Sequence, residues 1–109
     1  EPTAAVRARV GVARARQMAR QGAHNARLDV AGVVRHCVPD ADGAPLLARA
    51  MAARMLSARG YHRVLRVART IADMAGVERI GAMHVAEAIG YRRAMAAVEP
   101  AAAAAPALR

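Results

Sequence analysis

Three arginines, Arg59, Arg63 and Arg66, stand at i, i+4 and i+7, so in a helix they share one face and present a row of guanidinium groups. Guanidinium forks match phosphate oxygens in pairs. Arg59 would also lie in the first turn of its helix, where backbone N–H groups without intrahelical partners favour an anion. Phosphate binding is therefore the chemistry this spacing permits. A plainer reading competes with it: a solvated helix face, or ion pairs with Asp29, Asp73, Glu78 or Glu87. Arg69 extends the series as a candidate for a subunit contact or a structural ion pair.

Other chemistry is poorly supported. His36 and Cys37 are adjacent and would point about 100° apart on a helix, while His24, His62 and His84 fall in separate segments, so no metal-ligand spacing forms and no metal site is assigned. Cys37 has no nucleophile signature around it and reads as a small core residue. Ser57 is explained by its place immediately before a helix, where its hydroxyl can accept a backbone N–H. The few acids are scattered between segments, so no paired carboxylates suited to acid–base work emerge.

The elements that must position the arginines are helical. A first helix is expected from about Ala4 to Gln21, with Val6, Val10, Ala13, Gln17 and Met18 as its apolar stripe and Gly22 as its stop. Arg7, Arg9, Arg14, Arg16 and Arg20 spread around the remainder. A turn at His24 and Asn25 leads to a short helix capped by Asp29, presenting Val30, Val33 and Val34 through about Cys37 and closed by Pro39. Asp40 and Asp42 are two possible caps for a third helix at about 42–55, with Pro45 tolerable only in its first turn. Leu46, Leu47, Ala50, Met51 and Met55 form its core face, and Met74 and Met83 are likewise expected to fill gaps in an interior without Phe or Trp.

The arginine row belongs to the strongest segment, which opens at Ser57 and stops at Gly76. Tyr61, Val64, Leu65, Ala68, Ile71, Ala72 and Ala75 occupy one broad face, widened by Val67 and Met74, so this helix should be central. A last helix is expected from about Ala82 to Ala94, with Val85, Ala88, Ile89 and Arg92 on one side. Residues 1–96 are thus read as one domain and 97–109, rich in alanine and proline, as a disordered tail. The expected architecture is all-α, a small bundle of four to five helices.

With 109 residues there is room for one domain, and any large enzyme activity would require more chain. All seventeen basic residues are arginine, giving a formal charge of +9. The missing lysine excludes a P-loop and Schiff-base chemistry within these residues. The charge suits nucleic acid or other anions, though net charge reports on association more than on a site. A single cysteine rules out an internal disulfide, and no apolar run is long and uninterrupted enough for a membrane span, so a cytoplasmic protein is expected.

The string from Ser57 to Asp73, Ser-Ala-Arg-Gly-Tyr-His-Arg-Val-Leu-Arg-Val-Ala-Arg-Thr-Ile-Ala-Asp, closely resembles the C-terminal region of bacterial magnesium chelatase-like AAA+ ATPases of the ComM or YifB group. Upstream, Val6 to Val10, Ala15-Arg16-Gln17, Arg20-Gln21-Gly22, Asn25-Ala26 and Arg35-His36-Cys37 are similar to the same family. Downstream, Arg79-Ile80-Gly81, His84 to Ile89 and Tyr91-Arg92-Arg93 extend the likeness over about residues 6–93. The resemblance implies the helical lid that follows an ATP-binding core, with the missing Walker lysine located on that core. It implies Arg59 as the second-sensor arginine approaching ATP and its Mg2+; the shared helix face, not the resemblance, adds Arg63 and Arg66 as further nucleotide-binding candidates, with subunit contacts or structural ion pairs as their other reading. Implied partners are the N-terminal AAA+ core of the same chain, neighbouring subunits of a ring, and DNA, since this branch is associated with DNA processing. By itself the segment is not expected to bind or hydrolyse ATP. Two alternatives stay open: an independent nucleic-acid-binding module, and the lid of a true magnesium–porphyrin chelatase subunit.

Overall fold

The computed structural model describes residues 2–53 and 55–91. Helix α1 spans Pro2–Gln21, a 3-10 turn Asn25–Arg27, α2 Val30–His36, α3 Gly43–Ala52 and α4 Ala58–Met74. Residues 82–91 form α5. The described residues contain no strand, only one isolated parallel bridge between Pro39 and Ile80. The all-helical expectation therefore holds. The expected tail at 97–109, the domain boundary before it and Arg92 lie outside the described residues.

Helix ends follow single residues. Gly22, at φ 73°, donates its N–H to Met18 O at 2.9 Å and closes α1 in a left-handed cap. Asp29 caps α2 by accepting the Gly32 N–H at 2.8 Å. Of the two candidate caps for α3, Asp40 supplies the hydrogen bonds: its Oδ1 accepts from Asp42 N at 3.0 Å and Gly43 N at 2.8 Å, whereas the Asp42 side chain caps nothing. Pro45 stands in the first turn of α3, where it removes no hydrogen bond. Ser57 Oγ accepts from Gly60 N at 3.0 Å at the start of α4. At its end Gly76, at φ 75°, lets Val77 N reach Ala72 O at 2.9 Å and its own N–H reach Asp73 O at 3.1 Å, the paired bonds of a Schellman stop.

The apolar core is built on α4, as its periodicity predicts. Val64, Leu65, Ala68 and Ala72 meet Val33 from α2 and Cys37 just after it, Leu47 and Ala50 from α3, Leu56, Ile80, and Val85, Ala88 and Ile89 from α5. Ile80, between the two last expected helices, is fully buried and ties the two halves of the bundle together, because its carbonyl accepts from Asp40 N at 2.8 Å. Gly43 is buried beside it; a Cβ there would sit 3.1 Å from Ile80 O and 3.2 Å from Val85 Cγ2. Cys37 is a core residue, and burial pushes its thiol up despite the opposing charges of Arg69, Arg20 and Arg66.

Several expected core positions face water instead. Met51, Met55 and Met83 are exposed, as are Val30 and Val34, and Met74 is half-buried. α3 stops at Ala52, three residues early, which takes Met55 off the helical face on which it was counted. α2 has only 7 residues and buries one line of side chains, so Val33 goes inward and its neighbours at one and three residues' distance point out.

Helix α1 is attached differently. None of its residues belongs to the apolar core cluster among the described residues. Residues 3–9 are exposed, Val6 of the expected stripe included, Met18 is exposed as well, and of residues 3–21 only Ala13 and Gln17 are buried.

Candidate functional site

Arg59, Arg63 and Arg66 lie on one side of α4, as their spacing requires, and line an open groove of about 640 Å³ together with Ala26, Val67, Thr70, Ile71 and Tyr91. The structure thus brings together all three arginines singled out in the sequence. Arg59 is exposed in the first turn of α4, two residues after the Ser57 cap. Among the described residues neither Arg59 nor Arg63 makes a hydrogen bond or an ion pair, so both guanidinium groups are available. Arg66 is half-buried, and its Nε donates to Leu28 O at 3.1 Å.

Among the described residues none of the acids considered as ion-pair partners, Asp29, Asp73, Glu78 and Glu87, pairs with Arg59, Arg63 or Arg66. Asp29 caps α2. Asp73 is 2% exposed and receives Arg20 as a two-pronged fork, Nη1 to Oδ1 at 2.9 Å and Nη2 to Oδ2 at 3.0 Å. It also forms an ion pair with Arg69, whose Nε stands 3.2 Å from Oδ1 but off the hydrogen-bonding direction. Arg69 Nη2 donates to Val77 O at 3.0 Å. Arg69 is thus a structural ion pair inside the bundle and not a member of the exposed row.

Asn25 completes this buried network, and its capacity is full. Its Nδ2 donates to Thr70 Oγ1 and Asp73 Oδ2, both at 3.0 Å. Its Oδ1 accepts from Gln21 Nε2 at 2.8 Å and Arg20 Nη2 at 3.1 Å, and its backbone N–H donates to Gln17 Oε1 at 2.9 Å. Burial raises the Asp73 carboxyl, but the hydrogen bonds from Arg20 and Asn25 and the charges of Arg69 and Arg20 outweigh it and hold the group below its ordinary value. For Arg69 the balance runs the other way: burial lowers it more than Asp73 restores it. One carboxylate serves two guanidinium groups, and the deeper of the two bears most of the desolvation.

Helical periodicity does not reveal this network, because it reads Gln17 as part of an apolar stripe and Arg20 and Asp73 as surface. The signal that existed was membership in the strings quoted above, which contain Gln17, Arg20, Gln21, Asn25 and Asp73. Among the described residues no group of His, Cys, Asp and Glu could hold a metal ion, and no helix is long and apolar enough to cross a membrane.

Residues 1–92 match the family described as magnesium chelatase, subunit ChlI C-terminal. The chain belongs to this magnesium chelatase C-terminal family. The domain is 44% identical over 92 residues to the competence protein ComM of Haemophilus influenzae, which covers 84% of this chain and 18% of that protein. Over the same length it is 40% identical to the protein YifB of Salmonella typhimurium and 39% identical to YifB of Escherichia coli. The chain therefore spans about a fifth of the length of these curated relatives, and in a magnesium chelatase-like protein of that kind it corresponds to the C-terminal part.

Proposed function

We propose that this magnesium chelatase-like domain is the lid of a cytoplasmic, ring-forming AAA+ ATPase, and that Arg59 is its sensor arginine. The observation that carries the reading is the state of Arg59: exposed at the start of α4, at the mouth of an arginine-lined groove, with no carboxylate partner among the described residues. Where Asp73 could have neutralised the row, it is sequestered by Arg20 and Arg69.

A guanidinium in this setting can meet the γ-phosphate of ATP held with Mg2+ on an N-terminal core of the same polypeptide or on a neighbouring subunit. Phosphoryl transfer leaves little covalent work to the protein; catalysis is mostly placement and stabilisation of charge on the transferred group. Arg59 supplies a fixed positive charge there, helped by the unpaired amides of the first turn of α4. Arg63 and Arg66 lie one and two turns further along and contribute to nucleotide binding. The isolated domain holds no P-loop lysine and does not hydrolyse ATP by itself.

For the whole protein we propose a role in DNA processing, supported by likeness to a relative named a competence protein. The test of the lid reading is Arg59→Ala in the full-length protein. Turnover is expected to fall at least tenfold, about 1.4 kcal/mol of transition-state stabilisation, with ring assembly intact. Near-normal turnover in an assembled ring refutes it.

The formal charge of +9 favours a second reading, a nucleic-acid-binding module. It predicts binding of DNA by the domain alone, weakening steeply with salt. Absence of such binding leaves the lid reading standing by itself.

A further inference from the structure

One wall of the arginine groove is not part of the apolar bundle. Ala26 lines the groove from the 3-10 turn Asn25–Arg27, and both Ala26 and Arg27 are exposed. Two polar pins hold this turn against α4. On one side of Ala26, Asn25 Nδ2 reaches Thr70 Oγ1 and Asp73 Oδ2. On the other, Leu28 O accepts from Arg66 Nε.

The second pin is itself a groove arginine, so the wall and the Arg66 guanidinium are mechanically one unit. The first pin depends on α1: Gln17, Arg20 and Gln21 supply three of the hydrogen bonds that fix Asn25, and Arg20 holds the carboxylate to which Asn25 donates. Arg59 and Arg63 stand apart from this arrangement, carried by α4 alone.

We infer that Asn25 and Asp73 are positioning residues for the arginine groove: through them α1 sets the distance of the 3-10 wall from α4, and with it the presentation of Arg66 to a phosphate-bearing ligand. The inference rests on the nucleotide reading given above and deepens it. It divides the labour within the groove. Arg59 acts on the transferred phosphate and affects turnover, whereas the wall and Arg66 affect how tightly the nucleotide is held.

Two measurements test it. In the 109-residue chain, Asn25→Ala is expected to speed hydrogen exchange of the Arg27 and Leu28 amides tenfold or more, since these donate to His24 O and Asn25 O within the turn, while the α4 amides from Val64 to Ala72 keep their protection. In the full-length protein, Asn25→Ala is expected to raise KM for ATP at least fivefold with kcat within twofold, and Arg59→Ala to lower kcat. Loss of folded protein alone would reduce apparent kcat and leave KM in place.

Thr70→Val removes one acceptor of Asn25 from an exposed, near-isosteric position and is expected to speed exchange of the Arg27 and Leu28 amides as well as raise KM, with Thr70→Ser restoring both; the exchange separates the turn from any contact that Thr70, itself on the groove wall, makes with the ligand. Should Asn25→Ala fail to fold, this pair carries the test. An unchanged KM in Asn25→Ala and Thr70→Val, in a protein whose Arg59→Ala variant has lost turnover, overturns this inference alone. Normal turnover of Arg59→Ala overturns the nucleotide reading and this inference together.

Discussion

Helix α1 and the α2–α5 bundle are joined to the same central helix by opposite means. The bundle buries Val33, Leu47, Val64, Leu65, Ile80, Val85 and Ile89 in one continuous apolar cluster. α1 adds no residue to that cluster; it docks through Gln17 and Arg20 onto Asn25 and Asp73. Apolar burial is non-directional and tolerates small slips, whereas a filled hydrogen-bond network specifies one arrangement and loses much when one member is removed. The α4 helix therefore presents an adaptable face to the bundle and an all-or-none face to α1.

The sharpest way to break this contrast is to delete from each side and ask how far the damage spreads. Ile80→Ala removes a fully buried side chain and should cost about 3 kcal/mol, with protection from hydrogen exchange lost throughout α2 to α5. Asp73→Asn leaves Arg20 and Arg69 without their shared carboxylate and should cost up to about 3 kcal/mol, with the loss concentrated in α1 and the 3-10 turn. If Asp73→Asn instead melts the bundle as one unit, the two regions are not separable.

A gentler probe of the same network is acid. The folded-state value of Asp73 is held below its ordinary one, so its contribution to stability is complete above the unfolded value, near pH 4, and is lost as pH falls through the folded value. Circular dichroism and hydrogen exchange followed downward from pH 5 should show α1 loosening first, with Asp73→Asn lacking that early step. The smallest effect is expected at the Ser57 cap. Ser57→Ala forfeits the bond to Gly60 N, should cost about 1 kcal/mol in thermal or urea unfolding, and should fray the turn that carries Arg59.

How much of this was legible depended on whether a single residue or a distant pair decided the outcome. Gly22, Asp29, Ser57 and Gly76 act locally, through left-handed backbone or one side-chain acceptor, and their roles could be read in place. The α4 face was legible for the same reason, since 17 residues give the helical period time to declare itself. The arginine row followed from spacing alone.

Arg20 and Asp73 were not legible by period, because their partnership spans 53 positions and a charged residue reads as surface until its counter-charge is known. Ile80 sits between helices with no period to place it, and its burial follows from the Pro39 bridge that only the tertiary fold creates. The methionines misled for a third reason. Alanine side chains, Ala50, Ala68, Ala72 and Ala88, take many of the buried positions, and Met51, Met55 and Met83 stay exposed.

The shape of α1 gives its polar docking a mechanical meaning. Ten residues run from Ala13, the outermost buried position of α1, to Thr3, about 15 Å of helix at 1.5 Å per residue. A tilt of roughly 5° about Ala13 carries the Thr3 end about 1 Å sideways over that length. Any protein segment joined to that end would hold a handle whose other end, through Gln17 and Arg20, is fixed to Asn25.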